Sequence, residues 1–166
     1  DKLAEEYQGD YRIRSDPPWL VPLRELLERH RKTGEQLQLL CEHEYDVYRH
    51  TVADDCKQLL ENFSPRDVAL KVVGVGSVGT RCLIMLLQGR DRHDPLFLQL
   101  KEAGPSVLAE YLEDSPYSNQ GQRVVEGQRL LQTVSDLFLG WTEGAKTGKH
   151  YYWRQLRDWK GSVDVE

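Results

Sequence analysis

Three glycines with a phosphate-binding spacing stand near the middle of the chain. In the run KVVGVGSVGTRCLIMLLQG, which begins at Lys71, Gly74, Gly76 and Gly79 form the pattern G-x-G-x-x-G. Glycine permits a positive φ and a close backbone approach, and N–H groups in such a loop can donate to phosphate oxygens. The pattern occurs in two unrelated settings, before a helix or in a turn between antiparallel strands. The elements around the glycines therefore decide which chemistry applies.

The first setting is a Rossmann unit that binds NAD. It requires a helix over Thr80–Gln88, and Glu102 at the end of the next strand would hold the ribose. Such a helix would have only about two and a half turns. It would also contain the run CLIMLL, which has no polar face. The rest of the chain supplies no further alternation of strands and helices, so this alternative is the least favoured.

The second setting is a strand turn over ATP. A strand, LFLQLK, follows and ends in Lys101, and a later helix carries Glu126. Glycine loop, strand lysine and helix glutamate follow one another in this order in kinase-type sites, where the lysine contacts the α- and β-phosphates and the glutamate holds the lysine. The glycines could equally form an ordinary turn, with Glu126 paired to Arg123 or Arg129 at i±3 spacing on its own helix. Both interpretations remain open at this level.

The remaining elements predict an α+β fold with segregated helices and strands. Residues 1–18 read as a loose lead-in, and helical patterns then follow one another as far as Phe63. Thr51 and Asp54 resemble a capping box at the start of the third helix. We therefore predict an N-terminal helical segment over 1–66.

Residues 67–166 have a different character. VALKVV, TRCLIMLLQ and LFLQLKEA read as strands, FLGWT and HYYWRQLR as a last hairpin, and Gln122–Leu137 as the main helix. We predict an antiparallel sheet of about five strands with one packed helix, similar to the N-lobe of a kinase. This part would be a nucleotide-binding subdomain.

Composition limits the class of protein further. The chain has 166 residues, 39% hydrophobic and 30% charged, with a net charge of −5, which argues against non-specific nucleic-acid binding. No apolar run approaches a membrane span. Three cysteines without a C-x-x-C pair predict neither disulfides nor zinc and favour a cytoplasmic location. Met85 is the only methionine, so we expect a piece of a longer protein.

Long stretches of the chain also resemble one particular family. The segments VVGVGSVGTRCLIMLLQGRDRHDPLFLQLKEAGPSVL, GQRVVEGQRLLQTVSDLFLGW and RQLRDWKGSVDVE are similar to domain of unknown function twenty-two fifty-two, an uncharacterised and mainly bacterial family. RIRSDPPWLVPL and YRHTVADDCKQLLENF resemble its preceding segments. The resemblance implies a remote similarity to kinase-like and aminoglycoside-phosphotransferase-like proteins. It therefore implies a phosphotransferase of unknown substrate that uses ATP and Mg.

The resemblance also implies roles for individual residues. It matches a phosphate loop to Gly74, Gly76, Ser77 and Gly79, the strand lysine to Lys101 and the helix glutamate to Glu126. It sets Gln155–Lys160 near the adenine pocket. Kinase loops usually carry an aromatic residue and a valine where this chain has Val78 and Arg81, so the loop would not cover ATP in the usual way.

The catalytic segments that the resemblance implies do not occur in the sequence. Neither a G-D-x-H-x-x-N loop nor a D-x-N-D-F-D run is present. Phosphoryl transfer needs a base and metal-holding carboxylates. We therefore expect this chain alone to bind a nucleotide without catalysis and to act with further segments of the same protein. A non-catalytic binding or scaffolding module is the alternative.

Overall fold

Six strands form one antiparallel sheet in the order β3-β4-β5-β6-β8-β7. The computed structural model describes residues 3–29, 34–72, 79–91, 94–145 and 147–156. The elements in chain order are β1 (Ala4–Tyr7), β2 (Asp10–Ile13), β3 (Leu20–Pro22), α1 (Leu23–Arg29), α2 (Gly34–Arg49), α3 (Asp54–Leu60), β4 (Ser64–Lys71), β5 (Cys82–Gln88), β6 (Pro95–Ala103), α4 (Gln120–Leu131), β7 (Gly140–Glu143) and β8 (His150–Gln155).

The predicted α+β class and its five strands are confirmed. VALKVV falls in β4, TRCLIMLLQ in β5 and LFLQLKEA in β6, and the last hairpin is β7 with β8. The sheet has a sixth strand because β3 pairs with β4, with Leu20 opposite Lys71. A run with several prolines could not be recognised as a strand from its own pattern, and its partner lies far along the chain.

The prediction of an N-terminal helical segment over 1–66 is wrong, because this range also contains three strands and part of a fourth. Its three helices exist, but residues predicted as a loose lead-in form the β1–β2 hairpin. The turn of this hairpin uses positive φ at Gln8 and Gly9, 52° and 83°. Glycine adopts such angles without the steric cost that other residues bear. Residues on both sides of the predicted boundary at 66 and 67 share one sheet and one core.

One face of the sheet is covered by α2 and α3. The ring of Tyr48 on α2 stacks on Trp153 of β8 with centroids 4.3 Å apart. The Tyr48 hydroxyl donates to the Phe138 carbonyl at 2.8 Å, and Trp153 Nε1 donates to Thr142 Oγ1 at 3.0 Å. Both aromatic side chains are thus buried with their polar atoms satisfied, as deep burial requires. Other members of this core are Cys41, Tyr45, Val52, Cys56, Leu60, Val68, Met85, Leu87, Leu96, Leu98 and Leu100.

The opposite face is covered by the β1–β2 hairpin and by α4. The hairpin contributes Ala4 and Ile13 to a second core with Ala69, Ile84, Leu86 and Phe97. Buried Asp67 fastens the hairpin to β4, since it accepts from the Ile13 N–H at 2.9 Å and pairs with Arg24 of α1. These contacts oppose the desolvation that raises the Asp67 pKa.

Helix α4 crosses β6, β7 and β8 on this second face. Asn119 caps it by accepting from the Gln122 N–H at 3.1 Å. Gly121 is required in its first turn, because a Cβ there would lie 2.2 Å from the Tyr151 carbonyl oxygen. The helix ends at Leu131, six residues before the predicted end at Leu137. The chain turns there because Asp136 accepts from the Phe138 and Gln155 N–H groups and ties the following loop to β8.

The predicted capping box at the third helix is also wrong. The cap residue is Ala53, and it makes no side-chain cap hydrogen bond. Thr51 Oγ1 instead has two carbonyl acceptors within reach, Tyr48 at 2.8 Å and Trp141 at 3.0 Å, and it accepts from the Trp141 N–H at 2.9 Å. A long-range contact with β7 thus takes the hydroxyl that the local pattern assigned to the helix.

Candidate functional site

Most of the glycine run lies outside the described residues. Gly74, Gly76, Ser77 and Val78 belong to the undescribed range 73–78, so their assignment as a phosphate loop stays a prediction. Gly79 is described and has a φ of +90°. A Cβ at Gly79 would meet nothing within 4 Å, so backbone conformation alone favours glycine there.

The segment after the glycines is a strand and not a helix. Cys82–Gln88 forms β5, which is antiparallel to β4 and to β6. The NAD-binding alternative required a helix over Thr80–Gln88 and is wrong on this point. Its ribose residue, Glu102, instead forms an ion pair with Lys149 and accepts from the Arg81 N–H at 3.3 Å. Both bonds favour the carboxylate and lower the Glu102 pKa, the one from Lys149 more strongly.

Lys101 lies on the second face of the sheet, the face that carries α4. Strand residues alternate between faces, and Leu98 and Leu100 belong to the first core while Phe97 belongs to the second. Lys101 therefore shares the side of Phe97. It is half-buried and stands directly opposite Cys82 on one side and Tyr152 on the other.

Four side chains form a row across the sheet, which we call the lysine row: Lys71, Cys82, Lys101 and Tyr152. Lys71 interacts electrostatically with Cys82 from the β4 side, and Lys101 does so from the β6 side. Strands lie about 4.8 Å apart, so the two lysines flank the thiol across roughly 10 Å. Among the ion pairs of the described residues, neither lysine has a carboxylate partner.

The electrostatics of the row favour an anion. Burial raises the pKa of the Cys82 thiol, and the nearby Lys101 and Lys71 partly oppose this effect. Burial also raises the pKa of Tyr152, against the charge of Arg154. Both side chains are therefore neutral near pH 7, and Gln99 Nε2 lies 3.3 Å from Cys82 Sγ in the adjacent position. The charged side chains of the lysine row are thus its two lysines, and both are positive.

Glu126 lies on α4 but is paired within its own helix. Its Oε1 accepts from Arg129 Nη1 at 2.9 Å. Arg129 also donates to the Leu139 carbonyl at 3.1 Å and lies 5.9 Å from the centroid of the Trp141 ring. A Lys101–Glu126 pair is not among the ion pairs of the described residues. The i+3 partner that the sequence offered as the alternative is the one observed.

The predicted adenine segment is described only at its start. Gln155 ends β8, and the Leu156 N–H donates to the Phe97 carbonyl at 2.9 Å, which continues the pairing with β6. The rest of the range to Lys160 lies outside the described residues. Its role as a pocket lining stays a prediction.

Arg81 and Glu44 were not predicted to line a common site. Arg81 is exposed and, with Glu44 of α2, lines a cavity on the first face of the sheet. Comparison with kinase loops drew attention to Arg81, which stands where those loops usually have a valine, but it did not show which face of the sheet Arg81 lies on. No local signal could have found Glu44, because it meets the strands only through the packing of α2.

Neither a metal centre nor a membrane span is found within the described ranges. There, no three His, Cys, Asp or Glu side chains converge as metal ligands. Likewise, no described helix is long and apolar enough to cross a membrane. The described residues thus offer two lysine cations on one face of the sheet and no set of carboxylates that would hold Mg.

The fold and this site define an α+β protein with a six-stranded antiparallel sheet, on which two lysines flank a buried cysteine. The chain belongs to the family described as "Uncharacterized protein conserved in bacteria (DUF2252)", whose model matches residues 1–166. No curated protein and no solved structure matches it.

Proposed function

We propose that this protein binds ATP through its glycine turn and the lysine row, as the nucleotide-binding part of a kinase-like phosphotransferase. The observation that carries the proposal is the position of Lys101. Lys101 is half-buried on the face that carries α4, and it stands opposite Cys82. Cys82 in turn follows Gly79 by only three residues. The strand position opposite Lys101 thus comes directly after the glycines in the sequence, which is the reason for assigning both to one phosphate site.

The arrangement of the elements supports the same proposal. The glycines join two antiparallel strands, Lys101 follows on the next strand, and the helix with Glu126 comes between β6 and β7. Kinase-type sites use glycine loop, strand lysine and helix glutamate in this order. Similarity to a kinase N-lobe therefore forms part of the proposal.

The pairing of Glu126 sets a condition on the proposal. In kinase-type sites the lysine–glutamate pair must be formed for activity, and helix positioning controls it. Here Glu126 would have to exchange Arg129 for Lys101 when a nucleotide binds. Mg would be held by groups beyond the described residues, and it would neutralise charge between the phosphates. The sequence lacks the G-D-x-H-x-x-N and D-x-N-D-F-D segments that phosphoryl transfer would use. We therefore propose that this chain binds ATP but does not transfer its phosphate.

The test is titration of MgATP into the protein and into Lys101→Ala. A charge-assisted hydrogen bond from lysine to phosphate contributes about 1.5–3 kcal/mol, so the variant should bind about tenfold to a hundredfold more weakly. Lys57→Ala is the matched control, because Lys57 lies on α3 and pairs with Asp54 at the surface. Equal affinity of Lys101→Ala and the unchanged protein would refute the proposal.

One observation favours a second candidate, a non-catalytic binding or scaffolding module. Glu126 is bound to Arg129 and not to Lys101, as expected if the glycines form only a turn. This candidate predicts a melting temperature that no nucleotide changes, whereas bound MgATP at a hundred times its Kd would add about 2.7 kcal/mol of stability. A thermal shift series with ATP, GTP and NAD separates the two candidates.

A further inference from the structure

A cavity of about 250 Å³ lies on the first face of the sheet, opposite to Lys101. Leu83 and Leu100 form its floor, and Tyr151 closes it on the β8 side. Leu40 of α2 forms a wall, and the far side is the turn between β7 and β8. The site is therefore separate from the lysine row and shares only the strands with it.

The size and lining of the cavity limit what it can hold. Its floor and walls are mostly aliphatic and aromatic, which is typical of small-molecule sites with few polar groups. An apolar cavity of about 150 Å³ is known to hold benzene. A volume of about 250 Å³ therefore suits an aromatic ring with a short chain, roughly eight to twelve non-hydrogen atoms.

Two charged side chains line the cavity, the carboxylate of Glu44 and the guanidinium of Arg81. Glu44 already accepts from the Ala145 N–H at 3.3 Å, and nearby Glu102 is paired with Lys149. Arg81 lines the cavity and forms no ion pair with any other residue that the structure describes. Its guanidinium can hold a carboxylate through two parallel hydrogen bonds. Arg81 is thus the cationic group of the cavity lining, and it is the group there that could receive a carboxylate.

We propose that this cavity binds a small monocarboxylate with an apolar body, whose carboxylate contacts Arg81 and whose ring lies on Leu83 and Leu100. The proposal goes beyond nucleotide binding and does not depend on it, because the two sites lie on opposite faces of the sheet.

The experiment titrates 3-phenylpropionate into the protein and follows leucine and isoleucine methyl groups by NMR. The methyl resonances of Leu83 and Leu100 should shift in a saturable way. Those of Ile84 and Leu86, which belong to the core on the opposite face, should not. The neutral 3-phenylpropionamide has the same shape and should bind about tenfold more weakly, since it lacks the charge that Arg81 recognises.

Two variants with the same change of charge complete the test. Arg81→Gln should weaken 3-phenylpropionate about tenfold and leave the amide unchanged. Arg66→Gln is the control, because Arg66 is also exposed but lies outside the cavity. Absence of saturable shifts at Leu83 and Leu100, equal binding of acid and amide, or unchanged binding to Arg81→Gln would each overturn the proposal. Because Arg81 is exposed, its replacement leaves both cores intact.

Discussion

Two glycines in α4 should respond in opposite directions to the same substitution. A Cβ at Gly121 would lie 2.2 Å from the Tyr151 carbonyl oxygen, whereas one at Gly127 would meet nothing within 4 Å. Alanine is favoured over glycine inside a helix by about 0.8–1 kcal/mol, so Gly127→Ala should stabilise the protein by that amount. For Gly121→Ala the clash outweighs this gain.

The size of the Gly121 effect follows from what the new methyl group meets. The Tyr151 carbonyl belongs to β8, which is held by β6 on one side and β7 on the other, so it cannot move aside. Overpacking usually costs about 1–3 kcal/mol, and contact with a fixed backbone belongs at the upper end. We expect Gly121→Ala to lose about 2–3 kcal/mol of unfolding free energy.

The assay is urea unfolding followed by circular dichroism, with the melting temperature as a second measure. For a chain of this size 1 kcal/mol corresponds to about 2–4 °C, so Gly121→Ala should melt roughly 4–12 °C lower and Gly127→Ala about 2–4 °C higher. Stabilisation by both substitutions would refute the docking of α4 on β8. Destabilisation by Gly127→Ala would instead contradict the open surroundings described for that position.

Two further predictions concern buried polar groups. Tyr48→Phe keeps the stack on Trp153 but leaves the Phe138 carbonyl without its donor, so it should cost about 1–3 kcal/mol in urea unfolding, and a loss below about 0.5 kcal/mol would contradict the bond. The raised pKa of Asp67 means that the folded state holds its proton more tightly than the unfolded state. This contribution to stability is present below about pH 4 and is lost as pH rises through the folded pKa. Other carboxylates titrate in both the unchanged protein and Asp67→Asn, so we compare their unfolding free energies at each pH. The unfolding free energy of the unchanged protein minus that of Asp67→Asn should decrease as pH rises from about 3 to about 6. A constant difference would refute the raised pKa of Asp67.

The sequence predicted those parts of the fold that have a local signature. β5 and β6 could be recognised because each is a short apolar run bounded by turn residues. The wholly apolar run of β5 also distinguished a buried strand from an amphipathic helix. β3 could not be predicted, because it follows a proline-rich run and its partner β4 lies far along the chain. The β1–β2 hairpin could not be predicted because its strands are short and rich in charge, although they pair with each other.

In the candidate site, too, the sequence predicted the local features but not the contacts between elements. The sequence indicated Lys101 and Glu126 as a pair because it gave their elements and their order. It also gave Arg129 three residues after Glu126, and no pattern in the sequence could decide which cation the carboxylate would take. Tertiary geometry decides such choices, since a partner on the same helix face is always near while a partner on another strand depends on the docking of the helix.

The two proposed sites are physically linked through β6. Leu100 and Lys101 are consecutive residues on opposite faces, and β6 is hydrogen-bonded on both sides, to β5 and to β8. A shift of the β6 backbone at the cavity floor would therefore also move Lys101. Any such coupling between binding equilibria is reciprocal, so a carboxylate that changes the affinity for MgATP must have its own affinity changed by the same factor. Titrating each ligand in the presence of the other measures that factor from both directions, and a factor of one in both titrations would show that the two sites are not coupled.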